Sequence, residues 1–403
     1  MDYNNYKPEK PRRKRIFDPH SFVKAGVTIK DRTPSDDKEA EGGEKRVLRP
    51  RKKVIINNTL GFWEKNVDLY FRNTMKVHSK AKDFFTISSD NELITLHKMY
   101  YSKDNNLNGR KIVTLGEGSN TVFINNDTDS ILVSLNLTGF HVTRSDENFV
   151  WVNCRAGVLF REFVVEMCKQ NYSGLENLAA IYGTVGAAPV QNIGAYGAEI
   201  KDFIDSVRYF DVFSGDFHTI SKEECCFSYR NSIFKQQTGN KIITDVVFKL
   251  NKQFTFNNSY AAVRSIFGAI SPKVITPLLV ADKLTELRHT KLPDPKVLGN
   301  CGSFFKNPVV EEQHFNNLSL IYPDIVAFDD EKGKKISAAW LIQKCGFKGK
   351  KNNRCGVYAK QPLVVVNYGV VSGKVIAEFA EEIIKTVSVR FGITLQTEPH
   401  YVY

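Results

Sequence analysis

Apolar positions recur along this chain with two periods, and they do so only after an N-terminal stretch in which no period is visible. Residues 1–66 carry few apolar side chains, and these recur at neither helical nor strand spacing. The segment therefore reads as a disordered basic extension, with order beginning near Leu69. Beyond it, short β-branched and aromatic runs predict strands at 83–87, 111–115, 121–124, 131–135, 149–152, 207–213 and 242–250. A turn at Ser214-Gly215-Asp216 joins the pair around 207–220. Helical spacing predicts a helix over 91–101 capped by Ser89. It predicts another over 158–170, burying Phe160, Phe163, Val164, Met167 and Cys168. Near the C-terminus the pattern gives a helix at 336–345, a strand at 363–366 and a long helix at 374–391 with Ile376, Phe379, Ile383, Ile384 and Val387 inward. A terminal strand carries Glu398 as its lone acid. No internal repeat appears.

Three stretches interrupt these periods with glycine, proline and small polar residues. Gly116-Glu-Gly-Ser-Asn120 separates two strands, and such a turn can present backbone N–H groups to phosphate. It lacks the third glycine and the following helix of a dinucleotide fingerprint, so alone it says little. The stretch 174–199 holds five glycines, with Thr184, Gln191 and Asn192 among small residues. That suits a surface on which a large planar ligand touches backbone, more than an irregular structural loop. The stretch 291–308 sets Gly299 and Gly302 around Asn300, then Ser303, Phe304 and Phe305. Read by itself it is a Gly/Pro surface loop whose phenylalanines cap the core.

Composition narrows the class. The 403 residues suffice for two or three domains, and 42% hydrophobic with 25% charged content is ordinary for a globular protein. No run reaches the ~20 apolar residues of a membrane helix, and no apolar secretory core is present. Seven scattered cysteines without CxxC spacing argue for reduced thiols, a cytoplasmic setting and no metal site. The net charge is +12, but residues 1–55 alone carry 16 Lys/Arg against 9 Asp/Glu. The remainder is mildly basic, which argues for small anionic ligands and against a nucleic-acid partner. Arg230 sits among Phe227, Tyr229, Ile233 and Phe234, where a cation requires an anionic partner. A structural salt bridge and a substrate-carboxylate clamp fit it equally well.

Taken together, these segments resemble the UDP-N-acetylenolpyruvoylglucosamine reductase family, the flavin enzymes of peptidoglycan precursor synthesis. The resemblance runs from Leu69 to Tyr403. It is carried in the family's order by Gly116–Asn120, Gly183–Gly197, Tyr229–Lys235, Lys291–Lys296, Gly299–Pro308 and Glu398. The Tyr229-Arg-Asn-Ser segment and Tyr260 are similar to the longer subtype, which closes a tyrosine-bearing loop over substrate. The resemblance implies an α+β fold: a two-part FAD-binding module of the vanillyl-alcohol-oxidase type over 67–290, split near 136. It also implies a separate α/β substrate-binding domain over 291–392, with 393–403 returning to the active site.

The reaction implied is that NADPH reduces FAD, whose N5 then passes hydride to the enolpyruvyl methylene of a UDP-sugar. Arg230 would stabilise the developing charge, Ser303 would protonate the adjacent carbon and Glu398 would orient or polarise the enol. Cys301 would be a bystander. FAD contacts are implied for Gly116, Gly118, Ser119, Asn120, Gly183, Thr184, Val185, Gly186, Gln191, Asn192, Gly194 and Ala195. Tyr260, Lys291 and Asn307 would bind substrate or nicotinamide phosphates, and the chain is expected to act as a monomer. Departures from the pattern are Tyr182 for a proline, Asn73-Thr-Met-Lys76 for Asn-Thr-Phe-Gly, and Gln-Thr-Glu-Pro for Glu-Pro-Glu. Two other readings remain at this stage. One is a related FAD oxidase of a sugar or hydroxy acid, which would need a base rather than Ser303, Arg230 and Glu398. The other is a non-catalytic flavin-binding scaffold.

Overall fold

The computed structural model describes residues 61–403 apart from 238, 353, 370 and 371. Most of the proposed N-terminal extension lies outside the described residues. Its last residues do not: Trp63–Asp68 is a strand, so order begins before Leu69. The sequence hid it because it is an edge strand with mostly exposed polar side chains. Trp63 anchors it, stacking on Phe85 at 5.6 Å and donating from Nε1 to Asp83 at 2.9 Å.

Strand order in the first sheet is Trp63–Asp68, Lys80–Ile87, Asp127–Leu135, Ile112–Leu115. The last three run parallel, which requires a crossover, and the helix Asp90–Tyr101 supplies one. Ser89 caps that helix as its spacing predicts, its hydroxyl accepting from Glu92 N. A second, antiparallel sheet has the order Asp216–Ser221, Ile204–Asp211, Lys241–Asn251, Phe149–Arg155, Phe140–Ser145. The helix Phe160–Lys169 turns Phe160, Phe163, Val164, Met167 and Cys168 into its core.

Residues 299–391 add a three-stranded sheet (Gly299–Ser303, Val364–Asn367, Cys355–Val357) and the helix Gly373–Phe391. Their apolar side chains join those of Leu69–Leu132 in one continuous core that includes Phe84, Phe123, Phe304, Phe305 and Ile383. The stretch around Ser303, read as a loop, is thus partly a strand. Its glycines explain the difference. A Cβ on Gly299 would lie 2.5 Å from Met75 O, and Gly302 sits at φ +73 where the ladder is irregular. The helix predicted over 336–345 begins later, at Ala338, because 333–336 is a strand and Ser337 caps the helix that follows. The helices Ala261–Phe267 and Pro277–Lys291 fill a region in which the hydrophobic pattern predicts no element.

The terminal strand is His400–Val402, pairing in parallel with Thr121–Phe123. Glu398 precedes it rather than lying within it. Its N–H donates to Phe304 O at 2.9 Å, and Lys306 N donates to Gln396 O at 2.9 Å. The chain end is therefore strapped between the Gly116–Asn120 turn and the segment after Ser303.

Candidate active site

A cavity of about 750 Å³ lies where these segments meet. Gly116–Asn120, Gly183, Thr184, Gly186, Gln191, Gly194, Arg230, Ser303 and Glu398 all line it. The sequence thus placed its principal chemistry in one chamber. Three residues named with them do not reach the wall. Val185 points into the second-sheet core. Asn192 is fully buried, its amide bonded to Glu199 Oε2, Ser228 O and Lys201 N. Ala195 pairs with Ala198 in a two-residue ladder.

The substrate-side assignments fare differently again. Tyr260 stands at the start of its short helix, partly exposed, with its ring edge on Tyr196 at 5.7 Å. Lys291 is the exposed last residue of Pro277–Lys291. Asn307 uses its Oδ1 to accept from Ala338 N at 3.0 Å, at the start of a helix. None of the three lines the cavity.

At the chemical centre Arg230 Nε stands 3.3 Å from Glu398 Oε1. The guanidinium also donates to Gly194 O at 2.9 Å and Asn192 O at 3.3 Å. Arg230 adopts φ +53, a strained conformation for a non-glycine residue. Two lysines that the sequence reading did not assign complete the site. Lys235 Nζ donates to Arg230 O at 3.3 Å and Gln191 Oε1 at 3.4 Å, and Lys306 lines the same cavity. Neither has a carboxylate within ion-pair distance among the described residues. Both lay inside segments already singled out, Tyr229–Lys235 and Gly299–Pro308. What was missing was the convergence of those segments.

Burial pushes the Glu398 carboxyl above the usual carboxylate range, although Arg230, Lys235 and Lys306 all pull it down. Burial, then Lys306 and Arg230, holds Lys235 below the usual lysine range. Cys301 is raised by burial and by Glu398, so its thiol stays protonated and unreactive. Ser303 is exposed to the cavity, and its hydroxyl has no hydrogen-bond partner among the described residues.

The walls fit an anionic dinucleotide. The backbone N–H groups from Gly116 to Asn120 have no acceptor among the described residues, leaving a run of donors facing the cavity. Arg288 Nε, buried and also without an acceptor, lines the same chamber. The turn is held from behind. Glu117 pairs with Arg161 at 2.5 Å and accepts from Gly183 N at 2.6 Å, while Ser119 Oγ donates to Tyr182 O at 3.1 Å. Tyr182, at the departure from proline, is fixed by Arg161 over its ring at 5.0 Å and a 3.4 Å bond to Asp294. Several of these cavity-lining glycines are also required by packing. A Cβ on Gly118 would meet Arg72 O at 2.3 Å, and one on Gly186 would meet Ala156 Cβ at 2.6 Å.

Comparison with known proteins agrees with this geometry. Residues 88–221 match an FAD binding domain family, and residues 294–402 match the UDP-N-acetylenolpyruvoylglucosamine reductase C-terminal domain. A UDP-N-acetylenolpyruvoylglucosamine reductase of Flavobacterium johnsoniae is 37% identical over 84% of this chain and 99% of that protein. One from Polynucleobacter asymbioticus is 39% identical over 83% and 95%. The solved structure of the Thermus caldophilus reductase covers 84% of this chain and 98% of its own at 22% identity, with a TM-score of 0.56, and supports the fold. Relatives matched along nearly their whole length, together with an FAD-binding domain and a cavity that fits a dinucleotide, place this chain in the UDP-N-acetylenolpyruvoylglucosamine reductase family of FAD-dependent oxidoreductases.

Proposed function

We propose that the chain reduces UDP-N-acetylglucosamine enolpyruvate to UDP-N-acetylmuramate, a peptidoglycan precursor, with NADPH as reductant. The observation that carries this reading is an excess of cations around one buried carboxylate. Arg230, Lys235 and Lys306 share a cavity with Glu398 and with the unpartnered Ser303 hydroxyl. A second carboxylate, that of the enolpyruvyl group, balances them.

Bound FAD supplies hydride transfer between NADPH and the substrate's methylene carbon. The amides of Gly116–Asn120 would hold its diphosphate, with Gly183, Thr184 and Gly186 along the opposite wall. Arg230 and Lys306 stabilise the electron density that moves onto the adjacent carbon and the carboxylate. Ser303 Oγ–H gives its proton to that carbon, so that a hydride and a proton have added across the double bond. The carbanion is basic enough for a hydroxyl to serve as the acid. The serine oxygen then regains a proton from solvent. Glu398, tied to Arg230, orients the substrate carboxylate and its enol form. On this reading residues 67–290 hold the flavin, 291–392 carry the substrate side, and 393–403 close the site.

The test is Ser303→Ala with flavin content verified. Reduction of the flavin by NADPH should continue, while its reoxidation by the UDP-enolpyruvyl sugar and formation of UDP-N-acetylmuramate fall together by about 100-fold or more. Normal product formation would move the proton donor elsewhere.

A further inference from the structure

The side chain of Gln191 sits among three polar groups, and only one orientation of its amide satisfies all of them. Its Oε1 accepts from Asn120 Nδ2 at 2.7 Å and from Lys235 Nζ at 3.4 Å, and its Nε2 donates to Glu398 Oε1 at 3.3 Å. An ammonium group can only donate. Turning the amide over would set its NH2 against Lys235 and its oxygen against Glu398, two repulsive contacts in place of two hydrogen bonds. Asn120 is fixed in the same sense, because its Nδ2 also donates to Glu398 O at 3.3 Å. Asn120 and the Lys235 charge together therefore decide which end of Gln191 faces Glu398.

That choice reaches the carboxyl group. Glu398 Oε1 already takes Arg230 Nε at 3.3 Å and Gln191 Nε2 at 3.3 Å, while Oε2 has no partner among the described residues. We propose that Gln191, locked by Asn120 and Lys235, is a positioning residue that ties Glu398 Oε1 to the protein and leaves Oε2 for the substrate. Lys235 then acts through Gln191 and is not itself a substrate ligand. This inference rests on the role assigned to Glu398 above. It also reassigns Gln191, expected from the sequence as a flavin contact, to the catalytic carboxyl group.

The physical consequence is specific. With Oε1 engaged by the Arg230 charge and the Gln191 amide, a proton bound by the buried carboxyl sits on Oε2, where it can be donated to a substrate oxygen. Removing the Gln191 donor or the Lys235 cation withdraws support from the ionised form, so the carboxyl should titrate at higher pH in either variant.

The experiment compares Gln191→Leu, Lys235→Met, the double variant, Lys235→Arg and Glu398→Gln in the flavin-loaded enzyme. Steady-state kinetics across pH are read beside the infrared band of the protonated carboxyl that Glu398→Gln removes. We expect kcat to fall at least about ten-fold in each of the first two, with little change in KM for the UDP-sugar. The double variant should lose no more than the worse single one, since both break the same link. The Glu398 band should persist to higher pH, and Lys235→Arg should recover most of kcat. Multiplying losses, or a raised KM at unchanged kcat, would make Lys235 a direct substrate ligand and overturn the proposal. An unshifted carboxyl band in a folded, flavin-loaded Gln191→Leu would overturn it as well. Full activity in Glu398→Gln would instead defeat the underlying role of Glu398, whatever the other variants do. If Lys235→Met fails to fold, Gln191→Leu and Lys235→Arg decide the matter alone.

Discussion

Arg230 and Glu398 form a 3.3 Å ion pair at a junction of three chain segments, with Arg230 held at a left-handed φ of +53 to make it. Such strain persists only where the surroundings enforce it, and here two backbone carbonyls grip the guanidinium. On the proposed mechanism, Arg230→Met removes the planar donor that would face the developing carboxylate charge. It should lower kcat by about 100- to 1000-fold. Arg230→Lys should recover little, because an ammonium cannot make the forked contacts. Steady-state kinetics with flavin content checked in each variant decide it.

The thiol beneath the site is the obvious competing acid. Burial and Glu398 keep Cys301 protonated, and its buried position makes it part of the core. Cys301→Ala should leave kcat within about two-fold while costing stability of order 1 kcal/mol through the small void. A large loss of kcat at unchanged stability would contradict the division of labour between Ser303 and Cys301.

His400 makes the fold sensitive to acid. Burial and the nearby Lys111 and Lys235 push it down from 6.5 to about 4. The unfolded chain binds this proton below pH 6.5 and the folded one does not. Its contribution is therefore complete above pH 6.5 and lost as pH falls toward 4. By linkage this amounts to at most about 3 kcal/mol. Denaturant unfolding at pH 7 and pH 4.5 should show a smaller difference for His400→Gln than for the unaltered protein. Equal differences would contradict the assignment.

Lys76 stands where the family pattern has glycine, and it adopts φ +58. A left-handed residue with a side chain costs roughly 1–2 kcal/mol, partly offset by the greater freedom of unfolded glycine. Lys76→Gly should be neutral or stabilising by up to about 1 kcal/mol in equilibrium unfolding. Gly118→Ala should do the reverse, since its φ is +62 and its Cβ would strike Arg72 O and Asn73 Cα. It should lose flavin as the turn shifts.

Much of this was legible in the sequence, and the reason differs from element to element. The helix Phe160–Lys169 has one buried face, so its period announced it. The strand Trp63–Asp68 has almost no buried face and announced nothing. Glycines marked the segments that meet at the cavity, and Gly118, Gly186 and Gly299 have a packing reason that the sequence did not show, since a Cβ on each would strike protein atoms. Arg230 and Glu398 could be named by motif. Lys235, Lys306 and the bridging amide of Gln191 emerge only when the segments converge, because a lysine's partners cannot be read from its neighbours in the chain. Tyr260, Lys291 and Asn307 show the opposite case. Their motifs are present, but none of the three lines the cavity, and only the Asn307 side chain is engaged by a helix, through Ala338 N.

Reduction of an enolpyruvyl UDP-sugar at this cation-rich site, as proposed above, can be followed in the absorption spectrum of the purified protein with NADPH and with that sugar. We expect a yellow protein whose flavin band bleaches with NADPH and returns on addition of the sugar, with sustained NADPH oxidation only when the sugar is present. A colourless protein, or NADPH oxidation indifferent to the sugar, would contradict it.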